Sequence, residues 1–217
     1  FLRFGGDIRR NELNGILEFF TRGSLSFSGQ LSGTGVGDLL LGLPSFALQS
    51  QANNPQTLRS TAYNFFVQDD VRITSSITLN LGVRYEYVTP PVDPRDRMST
   101  LNFATNRIVQ VGTNGVTRSG IQPDRNNFAP RAGLAWRIRN STVIRAGYGL
   151  YFDSGMFVIN SAQYFNPPQF NLRVFFPTAT SLITLNDPLR GGITPPTSLN
   201  VLDPSMIAAN MQHFHFG

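Results

Sequence analysis

Apolar and polar residues take turns along much of this chain. In residues 78–87, Leu79, Leu81, Val83, Tyr85 and Tyr87 alternate with Thr78, Asn80, Gly82, Arg84 and Glu86. A period of two sends successive side chains to opposite sides of a β-strand, so this segment is predicted to be a strand with one apolar and one polar face. The same holds for residues 128–138, where Phe128, Pro130, Ala132, Leu134, Trp136 and Ile138 oppose Ala129, Arg131, Gly133, Ala135 and Arg137. It holds again for residues 144–153, with Ile144, Ala146, Tyr148, Leu150 and Phe152 facing away from Arg145, Gly147, Gly149, Tyr151 and Asp153. Weaker versions occur at residues 2–9, at 63–68, where Phe66 breaks the alternation, and at 212–216, where Phe214 and Phe216 alternate with His213 and His215.

The connections between these six segments alternate in length. Residues 69–76 and 139–142 are short polar turns, whereas residues 11–62, 88–127 and 154–210 are long. Compact soluble domains seldom hold structureless loops beyond about 12–15 residues. If the strands run up and down, every short turn falls at one rim and every long loop at the other, as in outer-membrane barrels. Hydrocarbon offers no hydrogen-bond partner, so strands can cross it only in a closed sheet with an apolar outer face. The expected fold is therefore all-β, an antiparallel up-and-down transmembrane β-barrel. About six membrane strands are too few to close a wide barrel, so this would be part of a larger one. A soluble sandwich reads similarly strand by strand and remains the alternative. Within the long connections, residues 37–44 read as a brief helical turn stopped by Gly42 and Pro44, and residues 23–30 as a short extra-membrane strand. Residues 90–96 read as a rigid, proline-rich exit and 112–120 as a flexible surface loop.

Composition sharpens this picture. Charged residues make up 14% of the chain, against roughly 25% in ordinary soluble proteins. No run approaches the ~18 apolar residues of a membrane helix. The 18 basic residues, all arginine, outnumber 13 acidic ones. They are scattered singly, which argues against a nucleic-acid partner. Zero cysteines exclude a disulfide scaffold or a thiolate metal site and suit an exported protein. The chain opens without Met or a secretory leader and begins and ends inside alternating segments, so it is read as an internal piece of something longer.

Particular strings carry a resemblance to a known family. The run Tyr63-Asn64-Phe65-Phe66-Val67-Gln68-Asp69-Asp70-Val71-Arg72-Ile73, followed by Leu79-Asn80-Leu81-Gly82-Val83-Arg84-Tyr85-Glu86, resembles a strand, turn and strand signature of TonB-dependent receptor barrels. Residues 127–136 and 145–151 resemble the next hairpin, and residues 37–44 and 164–169 extend the likeness to the large Oar-like members. The resemblance implies a large outer-membrane barrel occluded by a plug, energised through a TonB complex and importing an extracellular ligand of unknown identity. Neither the plug nor the N-terminal regulatory-like domain of that family has a counterpart in these residues. The family more often carries Trp where Phe214 stands.

No residues form a persuasive catalytic set. The two histidines, His213 and His215, share one strand face and lack a visible third ligand, which makes lumen-lining histidines the expected reading over a metal site. Asp69 and Asp70 are expected to cap a turn beside Arg72. Asp93, Asp96, Asp124 and Asp153 lack the spacing of a regular calcium loop. No nucleophile elbow occurs, so neither an enzyme nor a cofactor is expected. Arg84, Glu86, Arg131, Arg137, Arg145 and Asp153 are expected to face the lumen. The aromatic connection of residues 157–176, with Tyr164, Phe165, Phe170 and Arg173, is the best candidate for ligand contact, packing onto the plug or the barrel rim being the role expected first. The expected partners are outer-membrane lipid, the TonB complex through the plug, and the external ligand. An adhesive or structural barrel without transport is the second reading.

Overall fold

The computed structural model describes residues 1–50, 54–153, 156–178, 180–189 and 199–217. Its strands are β1 (Leu2–Ile16), β2 (Ser24–Ser26), β3 (Phe46–Ser50), β4 (Pro55–Arg72), β5 (Ile77–Val88), β6 (Ser99–Asn102), β7 (Arg107–Gln110), β8 (Phe128–Arg139), β9 (Thr142–Phe152), β10 (Leu172–Phe175) and β11 (Asn210–Phe216). Two short helices, α1 (Gly35–Leu41) and α2 (Met156–Ser161), and a single 3-10 turn, Ala162–Phe165, accompany them among the described residues. Among the described residues, no helix is long and apolar enough to cross a membrane.

Six strands form one antiparallel sheet in the order β1-β4-β5-β8-β9-β11, each next to its sequence neighbour within the sheet. These are the six segments whose alternation is visible in the sequence. The register keeps the two faces distinct from strand to strand. Ile8 pairs with Tyr63 and Tyr63 with Tyr87, Leu81 with Ala132, and Ala132 with Tyr148. Because the side-chain period is two, this pairing aligns every apolar set on one face. That face is bare: Phe4 is 79% exposed, Leu81 48% and Phe214 61%. A soluble sandwich would press it against a second sheet; here it faces outward, as a lipid-contacting surface must.

The short connections, between Arg72 and Ile77 and between Arg139 and Thr142, lie at one rim. The three long ones leave from the other, the extracellular rim of outer-membrane barrels. β5, β8 and β9 contain 12, 12 and 11 residues, close to the about 9–11 needed to cross the hydrocarbon at a tilt. Two boundaries differ from expectation. β1 and β4 contain 15 and 18 residues and stay paired as far as Ile16 and Pro55, where the sequence suggests loop. Above the lipid band the outward positions no longer need to be apolar, so the alternation stops while the backbone ladder continues. Asp69 and Asp70 likewise belong to β4 and not to the turn. Asp70 accepts hydrogen bonds from Arg3 and Asn80 on the inward face.

The long connections fold together into a cap with its own cores. β10, β3 and β2 form a small sheet over Ala47, Phe175 and Ile183. A second cluster joins Leu58 of β4 to Met98, Val111 and Tyr164. The predicted helical turn is α1, capped by the Thr34 hydroxyl, which accepts from the Gly37 N–H, and closed by Gly42 at φ 68°. The predicted extra-membrane strand is β2. Residues 112–120 are ordered where the sequence suggests flexibility. Ser119 and Ile121 are buried, Gly120 holds a left-handed backbone (φ +77°) against Gln163, and the Ser119 carbonyl accepts from both Asn160 and Gln163.

Candidate functional site

The inward face differs from the outward one in bulk as well as polarity. Gly5, Gly82, Ala129, Gly133, Gly147 and Gly149 all lie on it, by register. Phe66, the residue that breaks the alternation in the sequence, and Tyr151 are large exceptions, and Phe66 lies over Gly5, where a Cβ would meet its ring. Elsewhere the face is shallow and polar, and it presents surface without filling the space in front of it.

Towards the extracellular rim this face curls round a cavity of about 710 Å3. Its walls come from β1, β4, β5 and the end of β9, with Asp124, Asn127 and Ala208 contributed by the long connections. Two arginines, Arg9 and Arg84, and four carboxylates, Asp7, Glu86, Asp124 and Asp153, line it, while Arg10 and Glu12 border it from positions whose register is outward. Most pair locally, Arg84 with Glu86 at 3.3 Å and Arg9 with Asp7 at 3.3 Å, while Arg10 pairs with Glu12 at 3.7 Å on the outer side of β1. Asn64 donates to Asp7, and Asp124 accepts from the Ala208 N–H at 2.9 Å. Phe152 ends β9 at this cavity.

The six residues expected in the lumen thus fall into three groups. Arg84, Glu86 and Asp153 share the cavity. Arg131 lies deeper, in a glycine-floored groove with Gln68, Asn80, His213 and His215, its guanidinium 4.8 Å from the Tyr151 ring centroid. Arg137 donates to the Ser75 carbonyl at the short-turn rim, and Arg145, exposed on β9, lies near that rim too, paired opposite Ala135. Nothing in the sequence marks Asp7, Arg9 and Asn64 as site residues. Strand register brings them to Arg84, and no local pattern encodes that register.

The aromatic connection also divides. Tyr164 is a core residue of the cap, 1% exposed, so it offers no surface to a ligand. Its hydroxyl donates to Asp93 at 2.6 Å and accepts from the Thr57 N–H at 3.0 Å. Burial first, and then the bond to the Asp93 carboxylate, hold the phenol well above its ordinary pKa. Asp93, itself fully buried, completes the network through an ion pair with Arg97 at 2.9 Å. Phe165 and Phe170 remain half-buried and meet edge to face at 5.2 Å. Arg173 lies over the Phe175 ring, 4.9 Å from its centroid. Three of the four aspartates without calcium-loop spacing have partners within the protein: Asp93 is held by Arg97 and Tyr164, Asp96 by Arg118, and Asp124 by the Ala208 amide. Among the described residues, no group of three or more metal-ligating side chains assembles.

An up-and-down sheet with a bare apolar face, a polar concave face and all its long connections at one rim defines a β-barrel of the membrane-spanning class. The family model described as outer membrane beta barrel domain matches residues 1–217, and the chain belongs to that family and so to the outer membrane. No curated protein and no solved structure matches the chain.

Proposed function

We propose that these strands belong to the wall of a TonB-dependent receptor, a larger barrel that binds a solute or polymer outside the cell and imports it by energised movement of a plug. The observation that supports this reading is the shallow, glycine-rich inward face. A small barrel fills its interior with its own side chains. Here six neighbouring strands turn glycine, alanine and hydrated polar side chains inward along much of their length, with Phe66 and Tyr151 as bulky exceptions, which suits a wide lumen occupied by a separate body. The residues act by binding and gating and not by covalent chemistry. The mixed charges of the cavity would meet the plug or the ligand, and Phe165, Phe170 and Arg173 of the cap would offer it further contacts. The full-length protein in a planar bilayer should conduct little until the occluding segment is deleted, and should retain the periplasmic domain of a TonB protein in a pull-down. A full-length barrel that conducts freely and ignores TonB would reject the proposal.

The packed cores of the cap favour a second reading, a rigid adhesive platform without transport. It predicts binding to cell surfaces or matrix polymers that persists when the TonB system is deleted.

A further inference from the structure

The outward face carries an unexplained feature at the upper edge of its apolar band. Tyr63 and Tyr87 pair across β4 and β5 with their rings stacked, centroids 6.0 Å apart and planes at 14°. Cations bracket the stack. On one side Arg10 projects one outward position above Ile8, opposite Thr61, whose hydroxyl it approaches at 3.5 Å. On the other side the Arg125 guanidinium lies over the Tyr87 ring, 5.9 Å from its centroid. The Tyr85 hydroxyl donates to the Arg125 carbonyl at 3.0 Å, which fixes the loop that carries this charge against the barrel wall.

Charge here is not balanced. Glu12 is shared between Arg10 at 3.7 Å and Arg59 at 3.5 Å, and among the described residues Arg125 makes no ion pair. Arg59 is also engaged by Asn14 and by the carbonyls of Leu13 and Leu58. Arg10 and Arg125 are exposed. Directly below them the face turns apolar through Ile8, Phe65 and Val67, 65%, 47% and 42% exposed.

A soluble anion would find guanidiniums here but would gain nothing from the apolar surface. Acyl chains alone would gain nothing from the guanidiniums. A molecule with a phosphorylated head and several acyl chains meets both, with tyrosines at the depth where amphipathic rings prefer to sit and arginines suited to phosphate oxygens. We infer that Arg10 and Arg125, flanking the Tyr63–Tyr87 stack, form a surface site for the phosphorylated headgroup of a glycolipid in the outer leaflet. The site depends on the membrane orientation and not on transport, so its failure leaves the receptor reading untouched.

The test uses the full-length protein in detergent micelles, with binding of diphosphoryl lipid A followed by native mass spectrometry and titration. R10A and R125A should each weaken binding about fivefold, and the double variant about twenty-five-fold. The double lysine variant should recover part of the loss. R107A, at an exposed position in the cap hairpin, should match the unaltered protein. Dephosphorylated lipid should bind the unaltered protein as weakly as diphosphoryl lipid binds the double alanine variant. Inorganic phosphate at millimolar concentration should not displace the lipid. Unchanged affinity in the double alanine variant, equal affinity for the dephosphorylated lipid, or displacement by free phosphate would each overturn the site.

Discussion

Single residues in the cap do more than the sequence advertises. Tyr164 reads as one aromatic in a loop of many, yet its hydroxyl links β4, through the Thr57 amide, to the buried Asp93–Arg97 pair. Y164F should therefore destabilise the cap by about 1–3 kcal/mol, the usual penalty for leaving buried partners unsatisfied. Faster limited proteolysis of the long connections, with the membrane strands still protected, is the expected readout. The pH dependence follows from the direction of the shift. A phenol held above its ordinary pKa contributes its full stabilisation below about 10, the value of an unfolded tyrosine. That contribution is lost only as the pH rises through the folded value. Absorbance titration should show one of the six tyrosines ionising late, together with cap opening, and Y164F should abolish that late step. A titration of the unaltered protein with no late step would mean that the Tyr164 hydroxyl is not bonded to Asp93.

At the scale of elements, the sequence reveals what the membrane imposes and hides what the loops improvise. β5, β8 and β9 are legible because hydrocarbon on one side and a wet interior on the other force a strict alternation on every residue. The upper halves of β1 and β4 are not, since Glu12 and Arg59 are acceptable outside the lipid band. β3, β6, β7 and β10 have five residues or fewer, too few to set a period, and each exists only because a partner strand or a distant core residue holds it. Leu58, Met98, Val111 and Tyr164 meet across three separate stretches of chain, a meeting no local pattern announces. Of the candidate site, the lumen-facing residues were legible as a face, but the grouping of Arg84 with Asp7 and Asn64 depends on register. The two faces should respond unequally to charge. Leu81→Arg, at the middle of the lipid-facing side of β5, should cost about 2–4 kcal/mol in bilayer unfolding. His215→Arg, on the wet side of β11, should cost far less. Equal penalties would mean that the faces are assigned the wrong way round.

The whole molecule is a sheet whose greasiest surface is its most exposed. Phe4 and Phe216 are each 79% exposed, on the two outermost strands, and the apolar band between them continues across β4, β5, β8 and β9. Water cannot cover that band at low cost, because each square ångström of apolar surface left wet costs roughly 25 cal/mol. Burial in the cap involves other residues and does not relieve it. Produced as these 217 residues, the chain should aggregate in aqueous buffer and disperse with a β-rich circular dichroism spectrum only when detergent coats the outward face. Detergent does not satisfy the backbone groups along the outer sides of β1 and β11, the two ends of the sheet. Such edges pair with whatever strand is offered. Sedimentation in detergent should therefore show species heavier than one chain, and a proline placed at Phe4 should shift the distribution towards the single chain by removing a donor and its pairing geometry from the edge. A chain that stays monomeric and folded in plain buffer would contradict both the lipid-facing assignment of the apolar side and the open edges.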